Sequence, residues 1–83
     1  MSEAFDQPVA IRFAGDRSTT VRTPKEAERL LADAGWPVRG PRHRDATETC
    51  AKVLGGARSS VDARTAFVAA AREAGVLRKK SDG

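Results

Sequence analysis

His43 is the one side chain in this sequence whose ordinary pKa suits proton transfer near neutrality, and Cys50 is its one thiol. General acid–base work by His43 would need a carboxylate to orient the ring and a nucleophile or substrate beside it. Asp45 and Glu48 are the acids nearest in sequence, whereas Arg39, Arg42 and Arg44 surround it. A histidine so placed reads as a rim residue of a basic cluster rather than a general base. Cys50 falls on the apolar side of a helical pattern, where a thiol behaves as a small hydrophobe with a raised pKa. One cysteine cannot form an internal disulfide, and one cysteine with one histidine cannot complete a zinc site without carboxylates or a second chain. No phosphate loop, dinucleotide fingerprint, paired metal-ligand motif or nucleophile elbow accompanies them. The sequence predicts no catalytic residue, no metal site and no cofactor.

The remaining residues suited to recognition are cationic or aromatic. The net charge of +4 is uneven, with residues 1–23 summing to zero, 24–54 to +1 and 55–83 to +3. Arg39, Arg42 and Arg44 flank His43, and Arg78, Lys79 and Lys80 follow one another. Clusters of this kind attract polyanions by Coulomb attraction, although most are solvated surface. Trp36, the sole tryptophan, is stiffened by Pro37 and is either an exposed partner anchor or the roof of a thin core at a helix end. The candidate interaction surface is therefore Trp36, Arg39, Arg42, His43, Arg44, Arg78, Lys79 and Lys80.

Two strands and three helices must position these residues. Val9, Ile11 and Phe13 alternate with Ala10 and Arg12, and Thr19 and Val21 with Thr20 and Arg22, the period of strands with one buried face. A hairpin turning near Ala14 to Arg17 joins them, and its apolar face must lie on helices. Thr23-Pro24-Lys25-Glu26 predicts a helix start with Thr23 as cap and Glu26 as capping-box partner. Ala27, Leu30, Leu31 and Ala34 then face inward until Gly35-Trp36-Pro37 ends the helix. A second helix from Gly40-Pro41 to Leu54 turns Ala46, Cys50, Val53 and Leu54 inward and stops at Gly55-Gly56. Its basic first turn opposes the helix dipole. Ser59 or Ser60 caps the third helix, on which Ala63, Ala66, Phe67, Ala70 and Ala74 make one stripe while Arg64, Thr65 and Arg72 lie away from it. Gly75 ends that helix, and Val76 and Leu77 fold back onto the core.

The resulting class is α+β, an N-terminal antiparallel two-stranded β-hairpin packed on three α-helices (ββααα). The 83 residues make one domain, 40% hydrophobic and 31% charged, with an ordered core over about 8–77 and flexible polar tails at 1–7 and 78–83. A chain of this size buries only about 60% of its unfolded surface, which leaves room for a thin core and no deep pocket. No apolar run approaches the roughly 20 residues that span a bilayer, and no secretory signal is present, so a cytoplasmic protein without a membrane partner is expected.

Trp36-Pro37, Gly40-Pro41, Ala46, Cys50 and, above all, the run from Ala63 to Gly75 resemble the domain of unknown function 982 family. Its members are short proteins, mostly from rhizobia and related alphaproteobacteria, with no established biochemical activity. The resemblance spans about Pro8 to Leu77. It implies a strand pair followed by helices in a bacterial cytoplasmic protein, and it brings no active-site assignment. His43 departs from the pattern, which has an aromatic such as tyrosine there.

The functional expectation is a small non-enzymatic protein-interaction module with an unknown protein partner, including a homodimer through the hairpin edge. The alternative is weak nucleic-acid binding through basic clusters 39–44 and 78–80. Against that alternative, no aromatic stacking platform or base-reading set is evident.

Overall fold

The computed structural model describes residues 4–5, 7–13 and 17–78. Strands β1 (Val9–Phe13) and β2 (Arg17–Val21) pair antiparallel, and helices α1 (Pro24–Leu31), α2 (Pro41–Leu54) and α3 (Ser60–Ala74) follow in chain order. This is the ββααα arrangement that the hydrophobic periods require. The residues expected to turn between the strands, 14–16, lie outside the described residues.

The register sets Val9 opposite Val21 and Ile11 opposite Thr19. Val9, Ile11 and Val21 are buried on the inner face, while Arg12 is exposed on the other. The outer edge of β1 is closed by the carboxyl-terminal segment. There the Arg12 amide donates to the Val76 carbonyl at 2.8 Å, the Arg78 amide donates to the Ala10 carbonyl at 2.9 Å, and Ile11 bridges Leu77. Val76 and Leu77 therefore return to the core as a third, strand-like layer edge. The core also reaches closer to the amino terminus than the polar composition of residues 1–7 indicates. Phe5 is buried, and its amide donates to the Arg22 carbonyl at 2.8 Å.

Helix α1 starts at the Thr23 cap, whose hydroxyl accepts the Glu26 amide at 3.1 Å. Glu26 reaches one residue further back than a capping box requires and accepts the Arg22 amide at 2.7 Å. The helix ends at Leu31, three residues before the expected Ala34. The cause is Asp33, whose carboxylate accepts the Gly35 amide at 2.7 Å while its carbonyl accepts the Trp36 amide at 3.0 Å. An aspartate turn competes with helical bonding, so Ala34 is exposed rather than inward.

Helix α2 packs on α3 and α1 and buries Ala46, Thr49, Cys50 and Val53, whereas Leu54, about 100° round from Val53 at the margin of that face, is 42% exposed. Gly56, at φ +88°, reverses the chain, with the Ala57 amide donating to the Lys52 carbonyl at 2.8 Å. Ser59 caps α3 by position without a side-chain bond. Ala63, Ala66, Phe67, Ala70 and Ala71 form its buried stripe, with Ala74 at the margin. Gly75, at φ +73°, takes the left-handed conformation that turns Val76 toward β1.

Candidate functional site

Trp36 is 3% exposed, so its indole contributes nothing to an outer face, and its place among the surface candidates is corrected here. Its ring lies 5.7 Å from that of Phe67 and 6.0 Å from that of His43, tilted by about 51° and 52°. Tilted aromatic pairs at such separations are favourable beyond area burial alone. Trp36 thus roofs Phe67 where the α1–α2 connection crosses α3. His43 is half-buried, and its Nε2–H donates to the Leu31 carbonyl at 2.6 Å, which ties the start of α2 to the end of α1.

The acid that meets this region is Glu73, not Asp45 or Glu48. Its carboxylate accepts the amides of Arg42 and His43, each at 3.2 Å, and so satisfies two orphan donors of the first turn of α2. That turn has no acid of its own, and its Gly40 cap has no side chain to offer. The negative charge demanded by the helix amino end arrives from α3. A Cβ on Gly40 would sit 2.6 Å from Glu73 Oε2, so glycine there is the space that admits the carboxylate. Sequence reasoning missed Glu73 because the pairing spans 30 residues. The uncompensated basic turn was the one local signal of it.

Cys50 is fully buried on α2. Burial, with a smaller contribution from the negative charge of Glu28, pushes its thiol from 9.0 up to about 11. It stays protonated and inert at neutral pH. No group of three or more His, Cys, Asp or Glu side chains among the described residues could hold a metal ion. No helix of the described residues is long and apolar enough to cross a membrane.

The basic residues 39–44 disperse. Arg39 Nη2 donates to the Asp33 carbonyl at 2.6 Å beyond the end of α1. Arg42 borders a surface hollow of about 500 Å³ with Ala69, Arg72 and Glu73. Arg44 is exposed two positions on, about 200° further round the helix. Arg78 lines a different hollow of about 510 Å³, whose walls include Arg64, Val68 and Arg72 of α3 with Val9 and Leu77. Lys79 and Lys80 lie outside the described residues. Arg64 and Arg72, set aside in sequence as a wet face, are what join the neighbourhoods of Arg42 and Arg78.

The profile of the family described as "Protein of unknown function (DUF982)" matches residues 7–78. The chain is a DUF982 protein. No curated protein and no solved structure matches it. The match covers β1 through the strand-like return at Val76 to Arg78, so the DUF982 unit includes the closure of β1. In this DUF982 chain, His43, Cys50 and Glu73 are all engaged in holding helices together. Arg39, Arg42, Arg44, Arg72 and Arg78 are exposed, as are Ser18 and Thr20 on β2.

Proposed function

We propose that this DUF982 protein is a small, non-enzymatic, cytoplasmic bacterial interaction module that accepts a strand from a protein partner on the outer edge of β2, a second copy being the simplest such partner. One observation carries the reading. β1 is paired on both sides, by β2 and by residues 76–78, whereas the outer edge of β2 makes no backbone hydrogen bond among the described residues. An edge strand offers a row of amides and carbonyls that another strand can complete. Two copies paired edge to edge about a twofold axis would use the same five residues from each side. The non-enzymatic part is supported by the structural commitments of His43, Cys50 and Glu73.

The nucleic-acid alternative has less support, because Arg39 is spent on a carbonyl and Arg44 points elsewhere on α2. Sedimentation velocity across a concentration series tests the second-copy form. A rising mass that Ser18→Lys abolishes is expected, since a charged edge residue blocks pairing. A strict monomer at high concentration eliminates the homodimer, and affinity capture with no partner sensitive to Ser18→Lys eliminates strand addition altogether.

A further inference from the structure

Three surface hollows run end to end along α3. The first is bordered by Gln7, Val61, Arg64 and Thr65, the second by Arg64, Val68, Arg72 and the sheet end, and the third by Arg72, Ala69, Glu73 and Arg42. Arg64 borders the first two and Arg72 the last two, so the hollows adjoin in a row along α3, a segmented trench with the two arginines at its divisions. We propose that this trench binds an extended acidic segment of a partner protein, with two carboxylates four positions apart and an apolar side chain midway between them.

Spacing is the first argument. Arg64, Val68 and Arg72 stand at i, i+4 and i+8, which places them roughly 6 Å apart along the helix. Alternate side chains of an extended chain recur about every 6.6 Å on one face. An acid-x-apolar-x-acid segment therefore matches Arg-Val-Arg step for step. Val61 to Arg72 covers roughly 16 Å, about five extended residues.

Charge and chemistry are the second argument. Arg42, Arg64, Arg72 and Arg78 line the trench. Its lining carboxylate among the described residues, Glu73, is already occupied by two backbone amides. No carboxylate of a described residue lies within ion-pairing distance of Arg64, Arg72 or Arg78. Arg64 Nε donates to the Gln7 carbonyl at 2.9 Å, which fixes the guanidinium and leaves its other N–H donors available. Fixed arginine forks suit carboxylates, which they can grip bidentately. The wall between them is aliphatic, from Val9, Val68 and Leu77, and among the described residues offers no aromatic ring on which a base could stack. That favours a peptide over a nucleic acid.

The test is fluorescence anisotropy of the full chain with a labelled peptide carrying Glu-Ser-Leu-Ser-Glu, alongside its Gln-Ser-Leu-Ser-Gln counterpart and a labelled single-stranded RNA. Binding at low salt that falls with added salt, and that drops at least tenfold for the Gln peptide and for Arg72→Glu, is expected. Arg78→Glu gives a second reading should Arg72→Glu fail to fold, as judged by circular dichroism. Ser18→Lys should leave peptide binding unchanged, so the trench and the β2 edge stand or fall separately. Equal binding of both peptides, no binding at millimolar peptide, or tighter Arg72-dependent binding of the RNA overturns the proposal. So does an Arg72-dependent dimer that excludes the peptide, since the occupant would then be a second copy.

Discussion

Glu73 and Gly40 act as a pair at the level of single residues. The carboxylate approaches the α2 amides through the space that a side chain at residue 40 would fill. Glu73→Ala should lower stability by about 1–2 kcal/mol, the range for losing a charged cap on helix donors. Gly40→Ala should cost about 1 kcal/mol by displacing the same carboxylate. Once Glu73 is gone that displacement has nothing left to disturb, so the double variant should lose less than the sum of the two. Urea unfolding of the four proteins checks this, and strict additivity would mean that the two positions are independent.

Helix α3 shows at the level of elements how little of the core is large. Apart from Phe67, its buried residues are alanines, which lets α2 approach closely and concentrates the packing on one ring. Phe67→Ala should cost about 3–5 kcal/mol. Against a whole-domain stability of about 5 kcal/mol or a little more, that should leave only about 0–2 kcal/mol, with a measurable unfolded fraction at 25 °C and a strongly lowered melting temperature. A cooperative melt close to that of the parent would refute the assignment. What the sequence made legible was local. Thr23-Pro24 and Gly75 declare a helix start and stop because cap and turn chemistry act within a few residues. Ala34 and Leu54 misled because a 3.6-residue period says which face is apolar, not where a turn such as that at Asp33 interrupts the helix nor how wide a stripe the neighbouring helices cover. Glu73, the return of Val76 to β1, and the Arg64–Arg72 trench join distant segments, and no spacing rule encodes them. Trp36 was ambiguous in sequence because anchor and roof use the same residue type.

The molecule measures 34 × 27 × 18 Å, and across so thin a body a single buried titratable group affects the stability of the whole. The Cys50 thiol holds its proton up to about pH 11 when folded, against an ordinary value of 9.0. The folded chain therefore binds a proton that the unfolded chain has released between those values. This contribution is fully present below about pH 9 and is lost as pH rises toward 11, amounting to about 2–3 kcal/mol. Chemical denaturation between pH 8 and 11 should show a steeper fall in the parent than in Cys50→Ala, and parallel slopes would contradict it. Closure of β1 by residues 76–78 has a different consequence, one of timing. During synthesis from the amino end, β1 and β2 emerge early, but one edge of β1 stays open until residue 78 has been made. Contacts between segments so far apart in sequence are slow to form. The nascent chain thus carries an unsatisfied β1 edge from the emergence of the hairpin until residues 76–78 follow, and those three residues close that edge while leaving β2 as the one that can still pair.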